Sequence, residues 1–430
     1  MDYSLHADVC VCGGGPAGIA AAIAAARCGA DTIVLEQNGY PGGLATAGLV
    51  GPISRFNFGG RRVVGGIPLE FIARLHAAGG AIIDLPSGNI PFDAELYKLT
   101  ALEMLSEAGC RTLYHAVVHG HNQIEDGAVA CAHAVSEGSA IHVNADVFVD
   151  CTGTGSLVAC RGELWRRRNT PEDNQPLSLV FVLGGVDTSG MTVLMSEDGV
   201  KYAHAGLRED LAAAVKQRLV SGFGGPWVVW GSVIRPGYVS VNCTRYGGDV
   251  TDPVDFSRAE TTMRSEIHRI VEVFTKADPA FSGCFLQQTA ATAGCRESRE
   301  LVAAYRLTGD DVFHDRHFRD TIALGAHPVD RHLPGSSGQN VEFLAAPYEI
   351  PFGCLVSASC PNLLAAGALS SADPVAFATM RVQAQCMAMG QAAGTAAALC
   401  AASGTPVADL DVVKLRRELV AHKAIVDPPG

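Results

Sequence analysis

The stretch that decides the fold is residues 8–36, DVCVCGGGPAGIAAAIAAARCGADTIVLE. Residues 9–12 form a short apolar run that is typical of a strand, and a glycine-rich turn and an alanine-rich run that suits a helix follow it. Gly29 marks the end of that helix, and residues 32–35 form a second apolar strand. A strand, a turn, a helix and a second strand in this order predict a βαβ unit.

The turn has the spacing G-x-G-x-x-G, made by Gly13, Gly15 and Gly18. The first glycine allows a tight turn, the second lets the backbone approach a pyrophosphate, and the third lets helix and strand pack closely. Free N–H groups and the positive dipole at the helix N-terminus favour a phosphate group at the same place. Glu36 ends the second strand, where a carboxylate can bind the hydroxyls of an adenosine ribose. The motif therefore predicts a dinucleotide site, against the alternative of an ordinary glycine-rich turn.

The composition fits a large α/β protein and argues against several classes of partner. The chain has 430 residues, 48% of them hydrophobic and 18% charged, which is enough for two domains or one large interleaved domain. A formal net charge of −12 argues against nucleic acid as a principal partner, because phosphates need a basic face. No apolar stretch is long enough for a membrane span, and the first residues lack a signal-peptide pattern. Fourteen cysteines are scattered without a C-x-x-C pair, so we expect reduced thiols and a cytoplasmic location.

Later parts of the chain repeat the pattern of strands followed by small-residue turns. Gly42 and Gly43 give a second flexible turn, rich in backbone donors, just after the strand that ends in Glu36. Three β-rich runs between residues 111 and 149 predict a small antiparallel meander. Its last strand ends at Asp150 and leads into a turn that contains Gly153, which suits backbone packed close to a cofactor.

Short motifs spread along the chain carry a family resemblance. They are GGGPAG at 13–18, the acid at 36, PGG at 41–43, GGIPLEF at 65–71, VFVDCTGTG at 147–155, TAGCRESRELVAAYRLT at 292–308, PYEIPFGCLV at 347–356, NLLAAG at 362–367 and MRVQAQCMAMGQAAGTAAAL at 380–399. With these motifs the chain resembles the FAD-dependent oxidoreductase family, whose members share a glutathione-reductase-type FAD fold. The resemblance implies FAD as the cofactor. It also implies an α/β, Rossmann-like FAD-binding domain with an inserted α+β substrate domain.

The limits of the two domains follow from where the nucleotide motifs lie. Residues 1–160 and 346–430 are predicted to form a discontinuous FAD-binding domain. Residues 161–345 lack a nucleotide signature and are predicted to form a substrate or cap domain over the flavin. A long helix is predicted over residues 375–402, and the resemblance implies that its N-terminal turns point at the pyrimidine end of the flavin ring.

The resemblance also implies which residues contact FAD. The predicted contacts are Gly13, Gly15, Pro16, Ala17, Gly18, Glu36, Gln37, Gly42, Gly43, Leu44, Val118, Thr152, Gly153, Gly367 and Arg381. Three positions depart from the usual family pattern: Thr154 and Ser156 replace acidic residues, and Ala368 replaces an arginine. We therefore expect contacts to the ribityl chain or the substrate to differ there.

Two arginines are candidates for substrate binding. Arg296 lies in CRESR; if residues 292–306 are helical, it shares a face with other polar residues and could bind an anionic substrate. The alternative is a network of salt bridges between the two domains. Arg381 lies in a helix of otherwise small and apolar residues, where a buried guanidinium needs a partner. That partner could be the flavin O2 atom, a substrate carboxylate or an internal acid such as Glu349.

A group of histidines and one tyrosine are candidates for proton transfer. Histidines and aspartates alternate over residues 314–332 in what looks like a polar loop, but their spacing matches no metal motif, so no metal site is predicted. His327 and His332 are the preferred candidates for a general acid or base, because imidazole titrates near neutrality. Tyr348 could donate a proton or bind the substrate; a structural role at the domain junction is the alternative.

The predicted function is that of an FAD-dependent oxidoreductase. A small polar or anionic organic substrate would exchange a hydride with flavin N5, with the dehydrogenase or oxidase direction favoured. Only one βαβ fingerprint is present, so oxygen, a quinone or a protein is expected as electron acceptor. The alternatives are a flavin-dependent reductase of an activated double bond, an electron-transfer subunit of a larger complex and a non-catalytic flavoprotein. The sequence does not identify the electron acceptor. It also leaves the oligomeric state open, and a homo-oligomer is one option.

Overall fold

The computed structural model describes residues 2–83, 88–120, 122–189, 195–196, 199–200, 207–230 and 234–428. The helices in these ranges are α1 (Pro16–Arg27), α2 (Gly66–Ala77), α3 (Ala94–Glu107), α4 (Leu207–Lys216), α5 (Pro253–Ala277), α6 (Gly309–Phe313), α7 (Pro374–Met380), α8 (Gln383–Ser403) and α9 (Val412–Ala421). None of these helices combines the length and the apolar composition that a membrane crossing requires.

The described ranges also contain β-strands, from two to twelve residues long. They are β1 (Asp2–Cys12), β2 (Thr32–Leu35), β3 (Asn57–Phe58), β4 (Arg61–Arg62), β5 (Arg111–Leu113), β6 (Val117–Val118), β7 (Gln123–Glu125), β8 (Ala128–Ser136), β9 (Ser139–Asp150), β10 (Trp165–Arg167), β11 (Phe181–Gly184), β12 (Met195–Ser196), β13 (Gly199–Val200), β14 (Phe223–Trp230), β15 (Val239–Thr244), β16 (Phe285–Thr289), β17 (Arg299–Leu301), β18 (Thr321–Gly325), β19 (Val329–His332), β20 (Gln339–Glu342), β21 (Tyr348–Pro351) and β22 (Leu363–Ala365).

The largest sheet has a parallel, Rossmann-like core. Its strands follow the order β5-β2-β1-β9-β8-β6, and β22 pairs in parallel with the end of β9. Strands β5, β2, β1 and β9 are parallel neighbours, whereas β6, β7 and β8 are antiparallel, as the predicted meander requires. The carboxyl ends of β1, β2, β9 and β22 lie at one edge of the sheet, where α/β proteins bind nucleotides.

Helix α8 packs closely on α1 because both helices carry small residues. A Cβ atom on Gly394 would lie 1.9 Å from the carbonyl oxygen of Ala21, and one on Gly390 would lie 2.1 Å from that of Ala17. The long helix predicted over residues 375–402 is in fact two helices, α7 and α8. They are separated at Val382, whose backbone is extended. This break matters for the site, because Arg381 lies at it.

A second, antiparallel sheet forms beside the first. Its strand order is β14-β15-β11-β16, and α4 and α5 share an apolar core with it. Residues 307–329 contribute instead to the apolar core of the Rossmann-like part, and β18 pairs with β21. The domain limits at residues 160 and 346 stay a prediction.

Two local predictions for residues 292–332 are wrong. Residues 292–298 form a loop and Arg299–Leu301 form β17, so the CRESR segment is not helical. The histidine-rich segment is not a plain loop either, because β18 and β19 lie inside it. Pairing with β10, β20 and β21 explains both differences, since strand partners distant in the sequence override local helix propensity.

Candidate functional site

One cavity of about 580 Å³ lies between the carboxyl edge of the parallel strands and the second sheet. We call two parts of its wall the glycine region and the arginine region. The glycine region consists of Gly13, Gly15, Glu36, Gly43, Thr152, Gly153 and Gly367. The arginine region consists of Arg296, His327, Asp330, His332, Gln339 and Arg381.

The first turn of α1 gives the glycine region a set of backbone donors. Gly15 is the N-cap residue of α1, and no side chain accepts a hydrogen bond at this cap. The next two residues, Pro16 and Ala17, line the cavity. Because the first-turn N–H groups of a helix lack partners within it, they can bind an anion at this point.

Glu36 is fixed beside this helix end by three hydrogen bonds. Its Oε2 atom accepts a bond of 2.7 Å from the Gly14 N–H, and Oε1 accepts bonds of 2.7 and 2.8 Å from the backbone and side chain of Asn38. Burial raises the pKa of this carboxyl group, and the hydrogen bonds from Asn38 and Gly14 partly offset the effect. A carboxylate held in this way is suited to bind ribose hydroxyls.

Asp150 holds the adjoining turn in place. It is fully buried, and its two oxygens accept four bonds of 2.7 to 3.1 Å, from the N–H and hydroxyl of Thr152 and from the N–H groups of Leu157 and Val158. These bonds position Thr152 and Gly153 in the cavity wall. The sequence places Asp150 at the end of a strand, and the structure adds this supporting role.

The arginine region collects positive charge. Arg296 donates to Pro176 O and to Ser178 Oγ at 3.0 Å, and Arg381 donates to the backbone oxygen of Asp330 at 3.1 Å. Within the described ranges neither guanidinium forms an ion pair with a carboxylate. Burial, followed by the charges of Arg245 and Arg381, holds the pKa of Arg296 well below its usual range.

Arg245 forms a chain of contacts with two residues of this wall, His332 and Asp330. Arg245 Nη2 donates to His332 Nδ1 at 3.0 Å, so His332 carries its proton on Nε2, which lies 3.3 Å from Asp330 Oδ2. Burial and the nearby Arg296 lower the pKa of His332 to about 3. His332 is therefore neutral with both nitrogens engaged, and it positions Asp330.

His327 differs from His332 in having one ring nitrogen free to accept a hydrogen bond. Its Nδ1 atom lies 2.7 Å from Pro328 O, so Nδ1 carries the proton and Nε2 is left as an acceptor. Burial lowers its pKa to about 4, although Asp330 opposes this shift. His327 is thus a neutral imidazole with an available lone pair.

Several buried polar atoms in the cavity wall have no hydrogen-bond partner within the described part of the chain. They are Asp330 Oδ1, Gln339 Oε1, Arg381 Nε and Gln383 Oε1. Burial would raise the pKa of Asp330, but the hydrogen bond from His332 and the charge of Arg381 outweigh it, so the carboxyl stays ionised. Because unpaired buried polar groups are costly, these atoms indicate the binding of a polar molecule.

The cavity wall contains most of the residues predicted from the sequence. It includes Gly13, Gly15, Pro16, Ala17, Glu36, Gln37, Gly43, Leu44, Val118, Thr152, Gly153, Arg296, His327, His332, Gly367 and Arg381. Gly18 and Gly42 lie just outside it: Gly18 packs against Gly13 O, and Gly42 N–H donates to Gly14 O at 2.8 Å.

Tyr348 and Glu349 do not take the predicted positions. Tyr348 is 1% exposed and is not part of the cavity wall; its hydroxyl lies 3.2 Å from Thr379 Oγ1 in the core. Glu349 accepts bonds from His317 and Thr321 and does not pair with Arg381. Both residues belong to β21, which pairs with β18, and both are buried outside the cavity wall.

The CRESR segment divides between two tasks. Arg296 lies in the cavity wall, whereas Glu300, the residue that directly follows the segment, is completely buried and pairs with Arg166, Arg168 and Arg306. Glu297 accepts bonds from the side chains of Asn169 and Gln175. Because Glu300 and its three arginine partners all lie within residues 161–345, this network does not join the two predicted domains, and the anion-binding role of Arg296 stays a prediction.

Sequence reasoning missed Arg245, Asp330 and Gln339. Asp330 and His332 are two residues apart on β19 and so share a face of the strand, a signal that a strand assignment would have exposed. Arg245 lies in another segment, just after β15, and no local pattern in the sequence marks it.

Comparison with known proteins identifies the family. A model of the FAD dependent oxidoreductase family matches residues 8–419. The chain belongs to this family. It is an enzyme with FAD as its cofactor, and the uncapped end of α1, the Glu36 carboxylate and the glycine turns in one wall fit that cofactor. No curated protein matches the sequence significantly.

Several solved structures are similar to the chain at low identity. A geranylgeranyl bacteriochlorophyll reductase-like protein from Thermoplasma acidophilum is 14% identical, with 98% of this chain and 84% of that chain covered and a TM-score of 0.48. The flavin-dependent brominase Bmp2 is 14% identical, with 97% and 83% covered and a TM-score of 0.46. The anhydrotetracycline hydroxylase OxyS from Streptomyces rimosus is 12% identical, with 97% and 69% covered and a TM-score of 0.46.

Proposed function

We propose that this enzyme oxidises a small organic acid that carries a hydroxyl or amino group on the carbon that loses a hydride. The observation that carries the proposal is the pair of half-buried arginines, Arg296 and Arg381, in one cavity wall with the unpartnered Oδ1 atom of Asp330. The positive groups suit the acid, and the carboxylate oxygen suits a hydroxyl or amino donor.

The charge balance supports an anionic substrate. Arg245 and Arg381 both act electrostatically on Arg296, and Asp330 is the acidic group that acts on Arg296 most strongly. A charge that is shielded from water without a counter-charge is unfavourable. A carboxylate bound between Arg296 and Arg381 would offset part of this cost, so substrate binding would recover free energy that the free protein lacks.

The proton and the hydride leave the substrate along separate routes. When bound, FAD supplies N5 as the hydride acceptor. We assign the proton to His327 Nε2, because His327 is neutral and its Nδ1–H is already donated to Pro328 O. Asp330 Oδ1 accepts a hydrogen bond from the substrate and orients it, while His332 and Arg381 hold Asp330 ionised.

The division of the chain into an FAD-binding domain and a cap domain is part of the same proposal. Residues 161–345 would form the cap over the flavin in a glutathione-reductase-type arrangement. The support is that the second sheet and its helices have an apolar core of their own, and that residues such as Trp227 and Asn242 from this sheet line the cavity.

An anaerobic reduction assay tests the proposed function. The FAD-loaded enzyme is mixed with a panel of 2-hydroxy and 2-amino acids and with their amides, and loss of the oxidised flavin absorbance is followed. We expect one acid to reduce the flavin and its amide to react at least tenfold more slowly, because the amide lacks the charge that Arg296 and Arg381 bind.

Matched variants complete the test. Arg381→Met should retain FAD and lose most of the reduction rate, whereas Arg258→Met, which removes an exposed arginine paired with Asp255, should react like the wild type. Equal reduction by acids and amides, or full activity of Arg381→Met, would contradict the proposal. Reduction only by an external donor, with reoxidation by an unsaturated acid, would favour the double-bond reductase instead.

A further inference from the structure

A group of metal-ligating side chains lies outside the cavity, on the antiparallel part of the large sheet. It consists of Cys131 and His133 on β8 and His142 on β9. One ligand atom from each of the three lies within 4.8 Å of the other two. None of the three residues lines the cavity described above, so FAD binding does not explain the group.

The strand register brings these side chains together. His133 and His142 are direct cross-strand partners, and their Nδ1 atoms are 2.7 Å apart. Cys131 precedes His133 by two residues, which gives both side chains the same face of β8. The ring of His119 is stacked on that of His133, with centroids 6.0 Å apart. The β8–β9 pairing therefore presents a thiol and two imidazoles to one point.

The local electrostatics favour the neutral form of His133. Burial lowers the pKa of His133, and the neighbouring His142 and His119 lower it further. Neutral imidazole is the form that binds metals. Burial raises the pKa of the Cys131 thiol, and the nearby Cys10 adds to the effect, so this ligand must lose its proton on binding.

We propose that Cys131, His133 and His142 bind a divalent transition-metal ion, with Zn²⁺ as the best match to one thiolate and two imidazoles. The ion would replace the contact between the two rings, release one proton from Cys131, and leave a fourth tetrahedral position for water. With Zn–N bonds of about 2.0–2.1 Å, two ligand nitrogens are about 3.3 Å apart, so the rings need to separate by about 0.6 Å. The site would link β8 to β9.

Direct metal binding tests this site. Tag-free, FAD-loaded protein is stripped with a chelator and titrated calorimetrically with Zn²⁺, and Co²⁺ then reports the ligands by absorption. We expect one tightly bound ion per chain, proton release, and a thiolate-to-cobalt charge-transfer band. Since removing an outer-shell partner alone costs about 10–100-fold in affinity, His142→Asn should bind at least tenfold more weakly. Cys131→Ser should lose the band.

Controls separate this site from general binding by histidine and cysteine. His314→Asn and Cys284→Ser change residues that are not part of the group and should bind Zn²⁺ like the wild type. His142 is only half-buried, so His142→Asn should fold even if Cys131→Ser does not, and flavin absorbance and circular dichroism report folding. Failure of the wild type to bind either ion at micromolar concentration would overturn the proposal. So would equal affinity of the folded His142→Asn variant.

Discussion

The glycine region and the arginine region share one cavity wall but are made in different ways. The glycine region depends on backbone: the uncapped end of α1 and the turn held by Asp150 place N–H groups and glycines around a fixed carboxylate. The arginine region depends on charged side chains from separate segments, Arg296 from a loop, Asp330 from β19 and Arg381 from a helix junction. Ligand binding in the glycine region therefore depends mainly on the shape of the backbone, and ligand binding in the arginine region depends mainly on charge.

This difference has consequences for mutation. In a region built from backbone, an added atom is harmful where another backbone segment is in contact, as at Gly13, and is tolerated by the fold where space is open, as at Gly15. Arg296 and Arg381 have hydrogen bonds but no carboxylate ion pair within the described ranges, so their positive charges should contribute little to folding and should be stabilised mainly by an anionic ligand. Substitutions at the two regions should therefore separate folding from function.

The largest expected effect concerns two buried arginines with different partners. Arg168→Met should lower the free energy of unfolding by about 3–5 kcal/mol, because the fully buried Glu300 would lose its one buried arginine partner and three backbone oxygens would lose their donor. Arg296→Met should change it by no more than about 1 kcal/mol, because the lost hydrogen bonds are offset by relief of repulsion from Arg245 and Arg381. Urea unfolding of both variants measures the difference.

The contrast between these two variants is the informative result. If Arg296→Met destabilises the protein as much as Arg168→Met, Arg296 stabilises the fold, and its charge does not serve mainly to bind a ligand. FAD content should be normal in Arg296→Met, which confirms that the variant is folded.

The next effect, about 3 kcal/mol, concerns two glycines of one motif. In Gly18→Ala the new Cβ would lie 1.8 Å from Gly13 O, so the turn must move, and both stability and FAD binding should fall. In Gly15→Ala the nearest atom is 3.9 Å away, so the apoprotein should keep its stability and only FAD affinity should decrease. Urea unfolding of the apoproteins and FAD titration separate the two. Equal stability of both variants would contradict the steric account.

The sequence predicted the glycine region well because its determinants are local. The residues from Gly13 to Glu36 lie in one βαβ unit, and each residue type has a direct geometric reason for its place. The family resemblance then extended this region to Gly43, Thr152 and Gly367, which the structure brings into the same wall.

The arginine region could be predicted only in part because its determinants are distant in sequence. Arg296, His327, His332 and Arg381 are in the wall, but the helix assumed around Arg296 is a loop and strand. The engagement of both His332 nitrogens depends on Arg245 and Asp330, which only the tertiary structure places beside it. Burial of Tyr348 follows from the pairing of β18 with β21, which local sequence does not reveal.

An acid-induced loss of stability should come from the buried imidazoles of the arginine region. Burial lowers the pKa of His327 to about 4 and that of His332 to about 3, whereas both titrate near 6.5 in an unfolded chain. As the pH falls below about 6.5, the unfolded state binds protons first, so the free energy of unfolding decreases down to the folded pKa values. The part due to His327 should be about 2 kcal/mol at pH 5.

Urea unfolding at pH 7 and pH 5 measures this contribution. His327→Gln should lose about 2 kcal/mol less stability between these pH values than the wild type, because glutamine does not titrate. His314→Gln is the control, since His314 is exposed and its Nδ1 atom contacts the side-chain and backbone oxygens of Asp310. Identical pH dependence in the wild type and His327→Gln would show that His327 is not buried as a neutral ring.

The smallest expected effect is at Glu36, where shape and charge meet. Glu36→Gln keeps the size of the side chain but places an amide donor opposite either the Gly14 N–H or Asn38, which both donate to the carboxylate. FAD affinity should fall about five- to tenfold, or about 1 kcal/mol, because the ribose hydroxyls lose a charged acceptor. Fluorescence titration of the apoprotein with FAD measures this change.

Competition by fragments shows which half of the cofactor Glu36 holds. ADP should compete with FAD less effectively in Glu36→Gln than in the wild type, while riboflavin, which lacks the adenosine, should compete equally in both. Gln37→Glu makes the reverse exchange of amide and carboxylate at the neighbouring position in the same wall, and it serves as the control. A loss of riboflavin competition would place Glu36 beside the flavin ring, and the glycine region would then have to bind the opposite end of the cofactor. Because the uncapped N-terminus of α1 lies beside Glu36, that reversed arrangement would separate the pyrophosphate from its best donors, and for this reason we expect the adenosine half here.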